Sequence, residues 1–289
     1  MAEKVILDCD NTMGLLFKEV DDGLTILHLL GLSEIDLLGI TTTFGNGKIE
    51  QVFNQTQRLI KHLQIDLPVL MGAGFNGQEP NTPAAQYLVD MVNQHPQQVT
   101  LLATGPVGNL FAAAQIDPRF FLKVKGIVAM GGYLQPVKLG YRNLQEMNFS
   151  ANPIAAQEML GAPCPVTVFP AQACLDAPYR MKDIRRADYW PKWIKRALVQ
   201  WLITFSSYTG GRVFYLWDLL PAVYLTKPDL FDIRSFHLGS SLDDFAVGNL
   251  VKGDHNSPMI NICSRIINYQ AFFTHLENTW RKTYSIYLS

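Results

Sequence analysis

Val5-Ile6-Leu7-Asp8-Cys9-Asp10-Asn11-Thr12 begins apolar and ends acidic, and Val20-Asp21-Asp22-Gly23 follows about ten residues later. Residues 5–7 read as a strand buried on both faces, and the first two carboxylates fall where it stops. Leu24, Leu27 and Leu30 then recur at helical spacing, so Asp21 and Asp22 open the next helix. Four carboxylates near one strand end repel one another. Such a cluster is tolerated when a cation neutralises it or when the groups diverge into water. Oxygen-only ligands favour Ca²⁺ or Mg²⁺ over zinc. A plainer use for Asp21 or Asp22 is to cap the helix that follows.

The same alternation continues along the chain. Residues 37–43, 68–71, 99–103, 126–130 and 165–169 read as further buried strands, with helical patterns at 49–63 and 84–93 between them. Strand, helix, strand in repetition predicts an α/β protein with an open, mostly parallel sheet and helices on both faces. Ligands of such sheets bind beyond the carboxyl ends of the strands. The second half is more helical. Residues 191–208 read as a helix carrying Trp193 and Trp201, another helix is expected near Arg212, and 164–177 reads as a strand leaving the core. No linker or repeat interrupts 1–289, so a single domain with a helical C-terminal part is expected. The aromatic stretch 190–208 suits either a core face or a subunit interface.

Composition narrows the class. The 289 residues are 48% hydrophobic and 17% charged, which excludes disorder as the dominant state. A net charge of −1 argues against a nucleic-acid partner. No stretch approaches the roughly 18 apolar residues of a membrane span. The first eight residues lack the apolar core of a secretory signal, so a cytoplasmic protein is expected. Cys9, Cys164, Cys174 and Cys263 form no CxxC pair and read as free thiols.

The first acidic motif resembles two families. Asp8-Cys9-Asp10-Asn11-Thr12 is similar to the DxDxT of haloacid-dehalogenase-type phosphatases, which implies Asp8 as nucleophile beside Mg²⁺, with Gly239-Ser240-Ser241-Leu242-Asp243-Asp244 imitating their last acidic motif. Asp8, Asp10, Asp21 and Asp22 also match the acids of DxDPGxDD in the inosine–uridine-type nucleoside hydrolases, with residues 11–20 replacing that family's tight Pro-Gly turn. The remaining motifs separate the two. Thr41-Thr42-Thr43-Phe44-Gly45-Asn46 resembles TTVxGN, and Thr104-Gly105-Pro106-Val107-Gly108-Asn109-Leu110 resembles TGPLTNL. Met130-Gly131-Gly132 resembles MGG, Glu146-Met147-Asn148 resembles EFN, and Asn152-Pro153-Ile154-Ala155-Ala156 resembles DPEAA. Trp217-Asp218 stands where that family has His-Asp or Trp-Asp. These fall in the family's order at predicted strand ends and helix starts, so the chain is identified as a member of the nucleoside hydrolases.

The resemblance implies a Rossmann-like nucleoside-hydrolase fold and Ca²⁺-dependent cleavage of a ribonucleoside to free base and ribose. It implies Asp10, Asp22, Asp218 and the carbonyl of Thr104 as ligands of the ion, with Asp10 also the general base. Asp21, Glu146 and Asn148 would hold ribose hydroxyls, Asn46 would support water and sugar, and Met130 would pack on the ribose. An Asn near the sugar's 5′ hydroxyl aligns poorly here, with Asn143 the candidate. Trp217 stands where purine-preferring members have Trp, so a purine or modified purine is favoured. Phe75, in the Gly72-Ala73-Gly74-Phe75-Asn76-Gly77 loop, would face it. A homodimer or homotetramer is implied.

Overall fold

The computed structural model describes residues 2–74 and 81–289. Each early apolar run becomes a strand: β1 (Glu3–Cys9), β2 (Ile35–Thr42), β3 (Val69–Met71), β4 (Val99–Ala103) and β5 (Gly126–Met130). The helices are α1 (Asp21–Leu30), α2 (Ile49–His62), α3 (Pro83–Gln94) and α4 (Gly108–Ile116). Side chains alternate across the sheet, so both faces of β1 are apolar for a reason. Val5, Leu7 and Cys9 join the core under α1 and α2, while Ile6 joins the core under α3 and α4.

The eight-stranded sheet runs Phe231–His237, Met259–Ile266, Val166–Phe169, β5, β4, β1, β2, β3. Neighbours are parallel except the outermost pair, Phe231–His237 with Met259–Ile266. From β1 the chain steps outward through β2 and β3, then returns to the other side of β1 as β4. The strand order therefore reverses between β1 and β4, which opens a crevice beyond their carboxyl ends.

Two elements differ from the sequence reading. Residues 164–177 do not leave the core: Val166–Phe169 lies between β5 and Met259–Ile266, and a short helix Ala171–Cys174 follows Pro170. No helix starts near Arg212. The long helix Lys192–Thr209 ends at Gly210, whose φ of 73° is left-handed, and Phe214–Tyr215 pairs antiparallel with Pro178–Tyr179. The C-terminal part is mostly helical, as expected, and also supplies the two strands Phe231–His237 and Met259–Ile266. Its last helix, Tyr269–Tyr287, packs on α1: the Trp280 indole N–H donates to the Leu24 carbonyl (3.2 Å) and the Thr283 hydroxyl to that of Leu27 (2.7 Å). All four cysteines are free. Among the described residues no helix is long and apolar enough to cross a membrane.

Candidate active site

Asp8 is the last inward acid of β1, paired in register with Thr41 of β2 and Ala103 of β4. Its Oδ1 accepts from the Thr41 hydroxyl (2.5 Å) and the Asn109 amide (2.7 Å), and burial pushes its carboxyl up to about 7. It ties β1 to β2 and to the first turn of α4 and does not line the pocket. The phosphatase reading, which needs Asp8 as an accessible nucleophile, fails on this point. Asp244, from the imitation of that family's last motif, accepts from the Ser241 N–H and hydroxyl and caps the short helix Leu242–Phe245.

Asp10 lies one residue past the end of β1. The Asn46 N–H donates to its Oδ2 (2.5 Å), and the Asn46 amide reaches Oδ1 at 3.4 Å. This wrap requires Gly45, whose φ is +156° and whose Cβ, if present, would stand 1.9 Å from Asp10 Oδ2. Across the crevice, the Thr104 N–H donates to the Asp8 carbonyl (2.8 Å), the Thr104 hydroxyl to Asp22 Oδ1 (2.7 Å), and the Asn148 amide to the Thr104 carbonyl (2.9 Å).

Asp21 and Asp22 form the first turn of α1, and its N-cap position is held by Val20, so neither acid occupies the capping place. The capping use is therefore not the one found, although the positive end of the helix dipole favours both charges. Asp218 immediately precedes the helix Leu219–Tyr224 and makes no cap bond.

A small cleft of about 100 Å³ opens on this cluster. The carboxyls of Asp10, Glu19, Asp21 and Asp218 line it; Asp22 does not reach its surface. Burial pushes Asp10 and Asp218 well above the ordinary carboxylate range, and neighbouring negative charge adds to it. Burial likewise raises Asp22, and takes Asp21 to about 7. The ion pairs among the described residues all involve other acids. Neither oxygen of Asp21 nor Oδ2 of Asp22 makes a well-formed hydrogen bond, though both residues are almost fully buried; the groups nearest Asp21 are its own backbone N–H, that of Asp218 and the Asp218 and Glu19 carboxyls.

Unpaired buried carboxylate oxygens are costly, and an all-oxygen set without a basic partner fits a hard divalent cation. Among the described residues no three acidic, His or Cys side chains already stand at the spacing of a closed cage. The fit therefore rests on donor chemistry and orphaned lone pairs.

Asn46, Thr104, Met130, Asn148 and Trp217 also line the cleft. Asn148 donates to the Met130 carbonyl (3.0 Å) and lies 3.3 Å from its sulfur. Glu146 lines the cleft as well, and its carboxylate accepts from the backbone N–H of Gly132 and from those of Asn148, Phe149 and Ser150 in its own turn. Trp217 is buried and tilts against Tyr215 with ring centroids 5.3 Å apart. Asn143 is not brought to the cleft. It pairs with Lys138 in a short hairpin and lines a neighbouring groove with Trp201, Phe205 and Tyr208. Phe75 lies outside the described residues.

Glu19 was not singled out from the sequence. An acid two residues before the Asp21-Asp22 pair was the available signal, and it was masked by its place in a loop without a family counterpart.

The family model described as inosine-uridine preferring nucleoside hydrolase matches residues 5–274. The chain is 25% identical over 270 residues to an uncharacterized protein of Schizosaccharomyces pombe, covering 81% of this chain and 84% of that one. It is 27% identical over 194 residues to the pyrimidine-specific ribonucleoside hydrolase RihB of Escherichia coli, covering 57% and 58%. The match to uridine nucleosidase 1 of Arabidopsis thaliana is 30% over 195 residues, 57% and 55% of the two chains, so the alignment spans just over half of these two relatives. Among solved structures, a purine-preferring ribonucleoside hydrolase from Gardnerella vaginalis superposes with TM-score 0.84 at 20% identity, covering 98% of this chain and 100% of that one. A plant nucleoside hydrolase gives 0.82 at 21%, covering 97% and 99%. With the family model spanning nearly the whole chain and the sheet shared with these enzymes, this protein belongs to the inosine-uridine preferring nucleoside hydrolase family, hydrolases that act on ribonucleosides.

Proposed function

We propose that the chain hydrolyses the N-glycosidic bond of purine or modified-purine ribonucleosides in a Ca²⁺-dependent reaction. The observation that carries this reading is the buried, base-free cluster of Asp10, Asp21, Asp22 and Asp218 at the strand-order reversal, beside a cleft that Trp217 lines. Asp10, Asp22, Asp218 and the Thr104 carbonyl would hold the ion. Bound there, Ca²⁺ supplies positive charge and a template for water and sugar oxygens.

Asp10 takes a proton from the attacking water. Asn46 fixes Oδ2 through its backbone N–H, leaving Oδ1 the freer oxygen for that proton. The water oxygen bonds to C1′, the C1′–N bond breaks, and its electron pair leaves with the base, which gains a proton. The ribosyl group passes through an oxocarbenium-like state, as in glycoside hydrolysis, and the surrounding carboxylates stabilise that positive charge. Asp21, whose oxygens make no well-formed hydrogen bond, accepts from a ribose hydroxyl. Asn148 is aimed by Glu146, whose four backbone partners leave it a positioning residue for the Asn148 turn. Met130 packs against the sugar.

Trp217 favours a base with a large π face. An indole does not act as an imidazolium acid, and among the described residues no His lines the cleft. The leaving group must then carry its own proton-accepting ring nitrogens, which a purine does. Measured kcat/KM for inosine and guanosine should exceed that for uridine and cytidine at least tenfold. A pyrimidine preference would overturn the base assignment and leave the hydrolytic reading standing.

A further inference from the structure

Residues 11–20 replace a tight turn, yet they are anchored as firmly as an element. The Asn11 side chain accepts from the Met13 N–H (3.0 Å) and donates to the Thr56 hydroxyl (3.3 Å). Gln55 donates to the Met13 carbonyl (2.6 Å), and the Thr12 hydroxyl donates to the Glu19 carbonyl (3.1 Å). The middle of the segment faces water: Leu16 and Phe17 are 63% and 59% exposed. Lys18 reaches back to donate to the Asn46 carbonyl (2.7 Å). Glu19 turns the other way, into the cleft, within hydrogen-bond reach of the Asn46 side chain and close against Asp21 and Asp22.

That placement is unfavourable as it stands. Solvent was open to Glu19 on the side its neighbours take, and like charges held together in a low-dielectric cleft repel by several times their interaction in water. The cleft also holds carboxylate oxygens of Asp21 that make no well-formed hydrogen bond and have other carboxyls as their nearest side-chain neighbours, in a residue almost fully buried. A cation common to all these groups reverses the sign of the Glu19 contribution.

We infer that Glu19 is an additional oxygen ligand for the hard divalent cation of this site, delivered by residues 11–20 to the ion that Asp10, Asp22 and Asp218 would hold. This rests on the cation reading of the proposed function. Its consequence is specific to this chain. Calcium affinity rises with the number of charged ligands, and an extra oxygen suits the six to eight places of Ca²⁺ better than the strict octahedron of Mg²⁺.

The test is calorimetric titration of Ca²⁺ into chelator-stripped protein, with thermal melts beside it. Glu19→Gln should weaken Ca²⁺ binding at least tenfold and shrink the Ca²⁺-induced rise in Tm. Its metal-free Tm should equal or exceed that of the wild type, since a repelling charge is gone. Leu16→Ala, on the exposed part of the same segment, should bind Ca²⁺ as the wild type does. Unchanged Ca²⁺ affinity in Glu19→Gln overturns the assignment of Glu19 alone, and a raised KM with that unchanged affinity would make Glu19 a sugar contact instead. Failure of the wild type itself to bind Ca²⁺ overturns the cation reading as well.

Discussion

Asp10 shows how little of a catalytic position belongs to the residue itself. Its carboxyl is held by the backbone of Asn46, which approaches only because residue 45 has no Cβ. Asp10→Asn keeps this shape but removes the base, so turnover should fall by about a thousandfold or more, in line with general-base effects. Circular dichroism should be unchanged, and Ca²⁺ affinity must be measured on the same sample. Near-normal turnover would refute the assigned base. Trp217→Ala should lower kcat/KM for the best nucleoside by about ten- to a hundredfold, the scale of losing one base–aromatic stack, while leaving Ca²⁺ affinity unchanged. The acids were legible because charge repulsion makes a buried cluster conspicuous in any sequence. The orientation of Glu146 was not, because three of the N–H groups that claim it come from its own turn and the fourth from Gly132 after β5, a meeting that no residue type announces. Asn143 missed the cleft for a similar reason: its backbone closes a hairpin with Lys138 and carries the side chain to the next groove.

At the scale of elements, α1 joins the site to the C-terminal helix. Asp21 and Asp22 open α1, and His28 stands two turns on, buried against His275 of the helix Tyr269–Tyr287 with ring centroids 5.3 Å apart. Neither ring nitrogen of His28 has a partner. Burial, then the neighbouring His275, lowers its pKa from 6.5 to about 3; Lys227 and Glu34 are the charged groups that act on His275. The unfolded chain therefore takes up a proton here below pH 6.5 that the fold refuses until about pH 3. The His28 contribution to stability is complete above 6.5 and is lost as pH falls through that window. His28→Leu should flatten the acid limb of Tm against pH, with Tm at pH 5 equal to or above that of the wild type. A variant with an equally steep limb would place acid sensitivity elsewhere. The strands β1 to β5 were legible from their continuous apolar runs, and α2 and α3 from helical periodicity. Gly210-Gly211 ends the long helix, and the extended pair Phe214–Tyr215 stands where the sequence suggests a helix near Arg212.

Across the whole molecule, the site is a product of topology. The order of strands reverses between β1 and β4, and that places Asp10, Thr104 and the first turn of α1 around one crevice. The parallel half of this sheet was readable because each strand leads to a helix. The antiparallel edge, Phe231–His237 with Met259–Ile266, was not, because neither strand is a continuous apolar run: Asp232, Arg234 and Ser235 interrupt one and Asn261, Ser264 and Arg265 the other, and both lie beyond the family-like motifs. A cation that binds only the folded arrangement must stabilise it by mass action. Saturating Ca²⁺ should raise Tm by several degrees at pH 7.5, more than Mg²⁺ at the same concentration, and an unmoved Tm would count against the cation.

The most direct measurement is release of reducing sugar from inosine by the purified chain, in phosphate-free buffer, after stripping with a chelator and after adding Ca²⁺ back. Sugar should appear in step with free base when Ca²⁺ is present, stop on chelation and resume on repletion. No sugar under any condition, or release indifferent to the chelator, would contradict the account.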